Sequence, residues 1–158
     1  EPGLEGLLVV GNVVPGGDPL GPRRTLRVFR YPAHGLLALE HALLLANGRA
    51  LVVNTSSFGG RIYMHGPAYG AGKAAIDKMA HDMAVDFRPH NVAVISLWMG
   101  LLLTERTRRV IEAEPEKYAD LAETSETPQF SGRLIDALAH DPDLMARTGK
   151  VWIGAELA

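Results

Sequence analysis

The chain has 158 residues, 47% hydrophobic and 22% charged, with a formal net charge of −2. Such a length and balance suit one globular domain with a buried core, and the charge gives no electrostatic case for binding nucleic acid or an anionic membrane surface. The absence of cysteine excludes a disulfide framework and thiolate chemistry.

The longest apolar stretch, 35–46, is broken by Glu40 and His41 and is too short to span a bilayer. No signal-peptide pattern is visible, so the expected location is the cytoplasm. The chain does not begin with Met, which leads us to expect a processed form or part of a longer gene product. The histidines at 34, 41, 65, 81, 90 and 140 are dispersed without metal-ligand spacing, and no metal site is expected.

In chain order, Leu7-Leu8-Val9-Val10 reads as a buried strand, followed by Gly11-Asn12. A Gly/Pro-rich loop over 15–22 leads into Arg23, Arg24, Arg27 and Arg30, a basic cluster that could contact phosphate but is read first as a solvated helix face or loop. Residues 33–46 carry a helical apolar pattern that stops at Asn47-Gly48. Residues 49–55 form a β-branched strand that delivers Ser56 and Ser57 to an open loop ending in Gly59-Gly60. Residues 69–88 make a long helix, in which Ala71, Ala75, Met79, Met83 and Phe87, with Ile76 and Ala80 beside them, suggest a broad apolar face. Pro89-His90-Asn91 breaks it, and 92–97 is the next strand.

After Trp98-Met99-Gly100, residues 104–123 are polar and helical with an interruption at Pro115, as expected of a flap. Thr104 is placed to cap this segment. Thr127-Pro128 opens another helix, which buries Phe130, Leu134, Ile135, Leu138 and Ala139 and ends at Asp141-Pro142. Val151-Trp152-Ile153 is the last strand. Alternating strands and helices predict an α/β fold with a parallel sheet and flanking helices.

The chemistry concentrates between Asn54 and Lys73. Tyr69 and Lys73 are four residues apart, so phenol and ammonium share a helix face, about 6 Å apart along the axis. An ammonium so placed favours ionisation of a phenol. A strand-end serine could hold a carbonyl oxygen while the phenol passes it a proton, which suits reversible carbonyl–alcohol chemistry. Ser56 precedes Tyr69 by thirteen residues; Ser57 stands three before Gly60. Strand-end capping is the structural role open to either serine.

A strand ending in Ser, then Tyr-x-x-x-Lys opening a helix, then the strand 92–97 followed by Met99-Gly100-Leu101-Leu102-Leu103-Thr104, resembles the short-chain dehydrogenase/reductase family. The resemblance covers nearly the whole chain, but only about the C-terminal half of the family fold. It implies a partial Rossmann-type, doubly wound parallel sheet: one domain over 1–158 with no counterpart to the first strands and glycine-rich turn. It also implies an oxidoreductase using NAD or NADP to interconvert a small-molecule carbonyl and a secondary alcohol. Ser57, Tyr69 and Lys73 would be catalytic, with Ser57 favoured because the strand end fixes position better than a loop.

Asn12, Tyr69, Lys73, Met99, Gly100, Leu102 and Thr104 would face the cofactor. Assembly as a homodimer or homotetramer, through the helices 33–46 and 69–88, is implied too. An open apolar edge at the first strand supports such pairing. Three departures stand out: Gly11 replaces an asparagine, Pro32 stands where an asparagine completes the family's proton relay, and Met99 replaces a proline. They leave open a non-catalytic relative serving as a dimerisation or partner-binding module. Weak NAD(P) binding by these 158 residues alone is expected, since nothing in them matches the pyrophosphate-binding turn.

Overall fold

A computed structural model of the chain describes residues 8–11, 26–28 and 48–158. Among the described residues five strands form one sheet: β1 (Leu8–Gly11), β2 (Leu26–Val28), β3 (Ala50–Ser56), β4 (Val92–Trp98) and β5 (Val151–Ile153). Their order is β2-β1-β3-β4-β5, and every pairing is parallel. The chain steps outward from β1 to β2, then returns to place β3 on the other side of β1. That reversal makes a crevice at the carboxyl ends of β1 and β3, where ligands bind in open α/β sheets. Ser56 closes β3 at this end, paired with Trp98 on β4.

Both faces of the central strands β3 and β4 are covered, as a parallel sheet requires. The helix α1 (Pro67–Phe87) links β3 to β4 and lays Ala80, Ala84 and Phe87 on Ala50, Val52, Val92 and Val94. Helices α2 (Glu105–Ala113), α3 (Pro115–Thr124), α4 (Pro128–His140) and α5 (Leu144–Arg147) link β4 to β5, and α6 (Gly154–Leu157) follows. Leu134, Leu138 and Ala139 of α4, with Leu144, pack on the opposite face against Leu51, Val53, Ala93, Ile95 and Leu97. Alternate residues of β3 and β4 thus enter two cores. The architecture is the expected doubly wound parallel α/β fold.

The boundaries follow local chemistry. Gly66, at φ 89°, turns the chain into Pro67 at the start of α1. At its end Asn91 takes a left-handed φ of 57°, and its Nδ2 donates to the Gly48 carbonyl at 2.8 Å. Thr104 and Thr127 cap α2 and α4 by accepting from Thr107 N at 3.3 Å and Phe130 N at 3.2 Å. Arg147 Nε bonds Asp141 at 2.5 Å, and this holds the Asp141 carboxyl below the usual carboxylate range.

Three expectations are corrected. Residues 26–28 are a strand, not a helix face or loop. The signal was the short apolar–polar–apolar alternation Leu26-Arg27-Val28. The edge beside β1 is consequently closed by β2. The expected apolar face of α1 holds only in its second half: Ala80, Met83 and Phe87 pack on the core together with Ala84, while Ala71 and Ala75 are exposed. Each step of four residues rotates about 40° around a helix of 3.6 residues per turn, so a row of four-residue steps winds off the buried face. The expected helix over 33–46, and with it Pro32, lies outside the described residues.

β5 pairs with only the last part of β4, from Ser96 to Trp98. Just before it, the Thr148 hydroxyl takes the place of a strand, accepting from Val94 N at 2.8 Å and donating to Val94 O at 3.3 Å. Thr148 is 2% exposed. Thr148→Val should therefore orphan a buried N–H and cost about 1–3 kcal/mol. Denaturant unfolding is expected to show a lower midpoint with an unchanged slope.

Candidate active site

β3 ends by handing two serines to different partners. Ser56 is buried, and its Oγ donates to the Lys73 carbonyl at 3.2 Å. Lys73 returns the tie, its Nζ donating to the Thr55 carbonyl at 3.3 Å. These bonds fasten the start of α1 to the end of the sheet. Ser57 instead has extended backbone and caps the short 3-10 turn Phe58–Gly60, its Oγ accepting from Gly59 N at 3.3 Å. The same Oγ lies 3.0 Å from the Tyr69 hydroxyl. The alternation of a strand sends one serine into structure and the other toward Tyr69.

The contact needs glycine in the turn. A Cβ on Gly59 would lie 2.5 Å from Tyr69 Cε1, and one on Gly70 would lie 3.0 Å from the Gly59 carbonyl. A Cβ on Gly60 would meet the Ala74 amide nitrogen at 3.1 Å and the Lys73 carbonyl carbon at 3.2 Å. The loop therefore lies directly on the first turns of α1, backbone against backbone. His65 sets its ring edge-on to Tyr69 with centroids 5.0 Å apart, from a left-handed φ of 54°. Lys73 Nζ lies 5.7 Å from the centre of the Tyr69 ring. Tyr69 and Lys73 are both half-buried.

Ser57, Tyr69 and Lys73 are thus brought together, with two hydroxyls close enough to share one carbonyl oxygen. The ammonium makes one described hydrogen bond, to Thr55 O, and has three protons to give, so ribose-like hydroxyls fit against it. The segment after β4 is less open. Met99 packs its side chain partly on the core, and Leu102 pairs with Glu126. Thr104 is engaged with Thr107, with hydroxyls 3.0 Å apart. The Gly100 N–H donates to Glu126 Oε2 at 3.2 Å, and a Cβ on Gly100 would come within 2.7 Å of Glu126 Oε1. This amide is already satisfied within the chain and, so held, does not fit the expected contact with the cofactor. Asn12 lies outside the described residues.

Two participants were missed from the sequence, Glu126 and Asp77. Asp77 stands four residues after Lys73 on the same helix row, a signal that could have found it. Among the described residues no group of His, Cys, Asp or Glu could hold a metal ion, and no helix is long and apolar enough to cross a membrane.

Residues 28–115, more than half of the chain, match the short chain dehydrogenase family. The mouse protein described as dehydrogenase/reductase SDR family member 1 is 38% identical over 123 residues, covering 73% of this chain and 39% of that protein. Its human counterpart is 36% identical over the same length. The chain spans about two fifths of the length of these relatives. Among solved structures, an oxidoreductase of the short chain dehydrogenase/reductase family from Burkholderia thailandensis superposes with a TM-score of 0.63 at 19% identity, covering 75% of this chain and 48% of that one. An NADPH-bound short chain oxidoreductase from Pseudomonas aeruginosa PAO1, with an atypical catalytic centre, gives 0.61 at 25% identity, covering 72% and 47%.

The packing gives a direct test. Gly59→Ala should push the Tyr69 ring away from Ser57 and destabilise by about 1–3 kcal/mol through overpacking. Gly72→Ala, with nothing within 4 Å of its Cβ position, should leave stability unchanged or raise it. Thermal unfolding of the two variants side by side checks the contrast.

Proposed function

This chain belongs to the short-chain dehydrogenase family, and on that premise we propose that it carries the proton-transfer side of a nicotinamide-dependent oxidoreductase that interconverts a carbonyl and a secondary alcohol. The observation that supports this reading most is the 3.0 Å contact between Ser57 Oγ and Tyr69 OH, with Lys73 one helical turn further along. A substrate oxygen placed between the two hydroxyls accepts a hydrogen bond from each. During reduction Tyr69 gives its proton to that oxygen, and the Lys73 ammonium favours the phenolate left behind. Ser57 holds the oxygen so that the proton moves over a short, fixed distance. In the alcohol-oxidising direction the phenolate takes the proton back.

NAD or NADP, when bound, supplies or receives the hydride at the carbonyl carbon. Lys73 would hold its ribose hydroxyls, and Tyr69 and Ser57 would face the nicotinamide side. Asn12, Leu102, Thr104 and the Met99–Gly100 backbone belong to the same proposed cofactor surface, with Gly100 reached only if Glu126 releases its amide. Assembly as a homodimer or homotetramer through α1 belongs to the proposal as well, since its outward side exposes Ala71, Ala75 and Val85. The substrate is a small molecule, and the expected location is the cytoplasm.

A second reading has its own observation. Glu126 fills the space beside Gly100, as it could in a non-catalytic relative kept as a dimerisation or partner-binding module. One experiment separates the two. In the full-length protein, Tyr69→Phe should lower the rate of NADPH- or NADH-linked carbonyl reduction by about 10²–10⁴-fold. Cofactor affinity by calorimetry should change little. A wild type that binds neither nucleotide would support the non-catalytic reading, and unchanged turnover in Tyr69→Phe would exclude the chemistry proposed here.

A further inference from the structure

Behind the Ser57–Tyr69 pair lies a second polar centre that the chemistry above does not use. Asp77 projects from α1 toward the end of β4. The Ser96 hydroxyl donates to Asp77 Oδ1 at 2.6 Å, and the Trp98 indole N–H lies 3.0 Å from Oδ1 and 3.2 Å from Oδ2. Ser96 is fully buried and Trp98 is 7% exposed. A carboxylate that accepts from two buried donors makes charge-assisted bonds, stronger than neutral ones and costly to leave half-made.

The consequences run in two directions from that carboxylate. Along α1, Asp77 sits one helical turn beyond Lys73, so fixing it to β4 fixes the turn that carries the ammonium. Across the loop, Trp98 packs against Phe58 with ring centroids 4.9 Å apart and planes tilted by 58°, and the Arg61 guanidinium lies 6.0 Å over the same indole. Phe58 is the residue after Ser57. A Cβ on Gly60 would lie 3.0 Å from Asp77 Oδ2, so the turn itself rests on the carboxylate. One side chain therefore touches or braces the helix of Tyr69 and Lys73, the end of β4 and the turn capped by Ser57.

We propose that Asp77 is a positioning residue that sets the Ser57–Tyr69 contact by clamping Ser96 and Trp98 to α1. It acts through these neighbours and touches no reacting atom. The inference rests on the oxidoreductase reading for its functional meaning, but its geometry can be tested without turnover.

The test uses the full-length protein labelled with ¹³C at the tyrosine Cζ, whose resonance reports hydrogen bonding of the hydroxyl. Tyr69→Phe assigns the Tyr69 signal, and Ser57→Ala shows where that signal lies once the serine contact is gone. Asp77→Asn removes the charge that strengthens both bonds at Oδ1 and puts an NH2 donor in place of Oδ2 against the Trp98 N–H, so the clamp on Trp98 is loosened and turned partly repulsive. In a folded Asp77→Asn protein the Tyr69 signal should move toward its Ser57→Ala position, while the Tyr118 signal stays in place. If Asp77→Asn does not fold, Trp98→Phe removes one donor, keeps an aromatic ring against Phe58, and should give a smaller shift in the same direction. A Tyr69 signal that stays put in these folded variants overturns the inference. If it does so while Tyr69→Phe abolishes turnover, the oxidoreductase reading survives alone. A shifted signal in a protein without turnover supports the clamp and overturns that reading.

Discussion

The contact on which the rest depends is the backbone approach of the Ser57–Gly60 turn to the first turns of α1. A parallel sheet brings strand ends and helix starts to one edge, but sequence spacing alone does not bring side chains within bonding distance. Gly59 and Gly60 do so by leaving out Cβ atoms that would strike Tyr69 and the Lys73–Ala74 backbone. Ser56 and Lys73 then lock the approach with a reciprocal pair of hydrogen bonds to main-chain carbonyls. Once helix and strand are fastened this way, the Ser57 and Tyr69 hydroxyls meet at 3.0 Å with neither backbone in a left-handed conformation.

Polar groups under this contact are placed by the period of the strands. On β4, Val92 and Val94 face the core beneath α1, and Ser96 and Trp98 continue that face toward the carboxyl edge. The face therefore changes from apolar to polar where α1 presents Asp77. Buried donors at that depth need an acceptor, and the carboxylate meets both. The other face stays apolar to its end, with Leu97 packing among the residues of α4. Rigidity near the site and apolar packing away from it come from the same alternation.

Much of this was legible in the sequence. The β-branched runs at 50–53 and 92–95 marked the central strands, and Thr104 and Thr127-Pro128 marked helix starts with a physical reason for each. Tyr69 and Lys73 could be placed on one face by their spacing. What could not be read depended on contacts between distant segments. Gly59 is indistinguishable in the sequence from any loop glycine until Tyr69 is seen against it. Glu126 reaches Gly100 only because the chain between them doubles back. β2 escaped because three residues are too few for a period to stand out beside a run of arginines. The apolar face of α1 was drawn too far toward the helix start, taking in Ala71 and Ala75, because rows of four residues drift around a helix.

The central claim is that the strand end divides its two serines, giving Ser57 to chemistry and Ser56 to structure. It is tested most directly by comparing kcat for nicotinamide-linked carbonyl reduction in Ser56→Ala and Ser57→Ala versions of the full-length protein, alongside their melting temperatures. The account predicts that Ser57→Ala lowers kcat by about 10²-fold or more with little change in melting. Ser56→Ala should melt earlier, since it loses the tie to the Lys73 carbonyl, while keeping kcat within about tenfold of wild type. The reverse pattern, with turnover lost in Ser56→Ala and kept in Ser57→Ala, would contradict it.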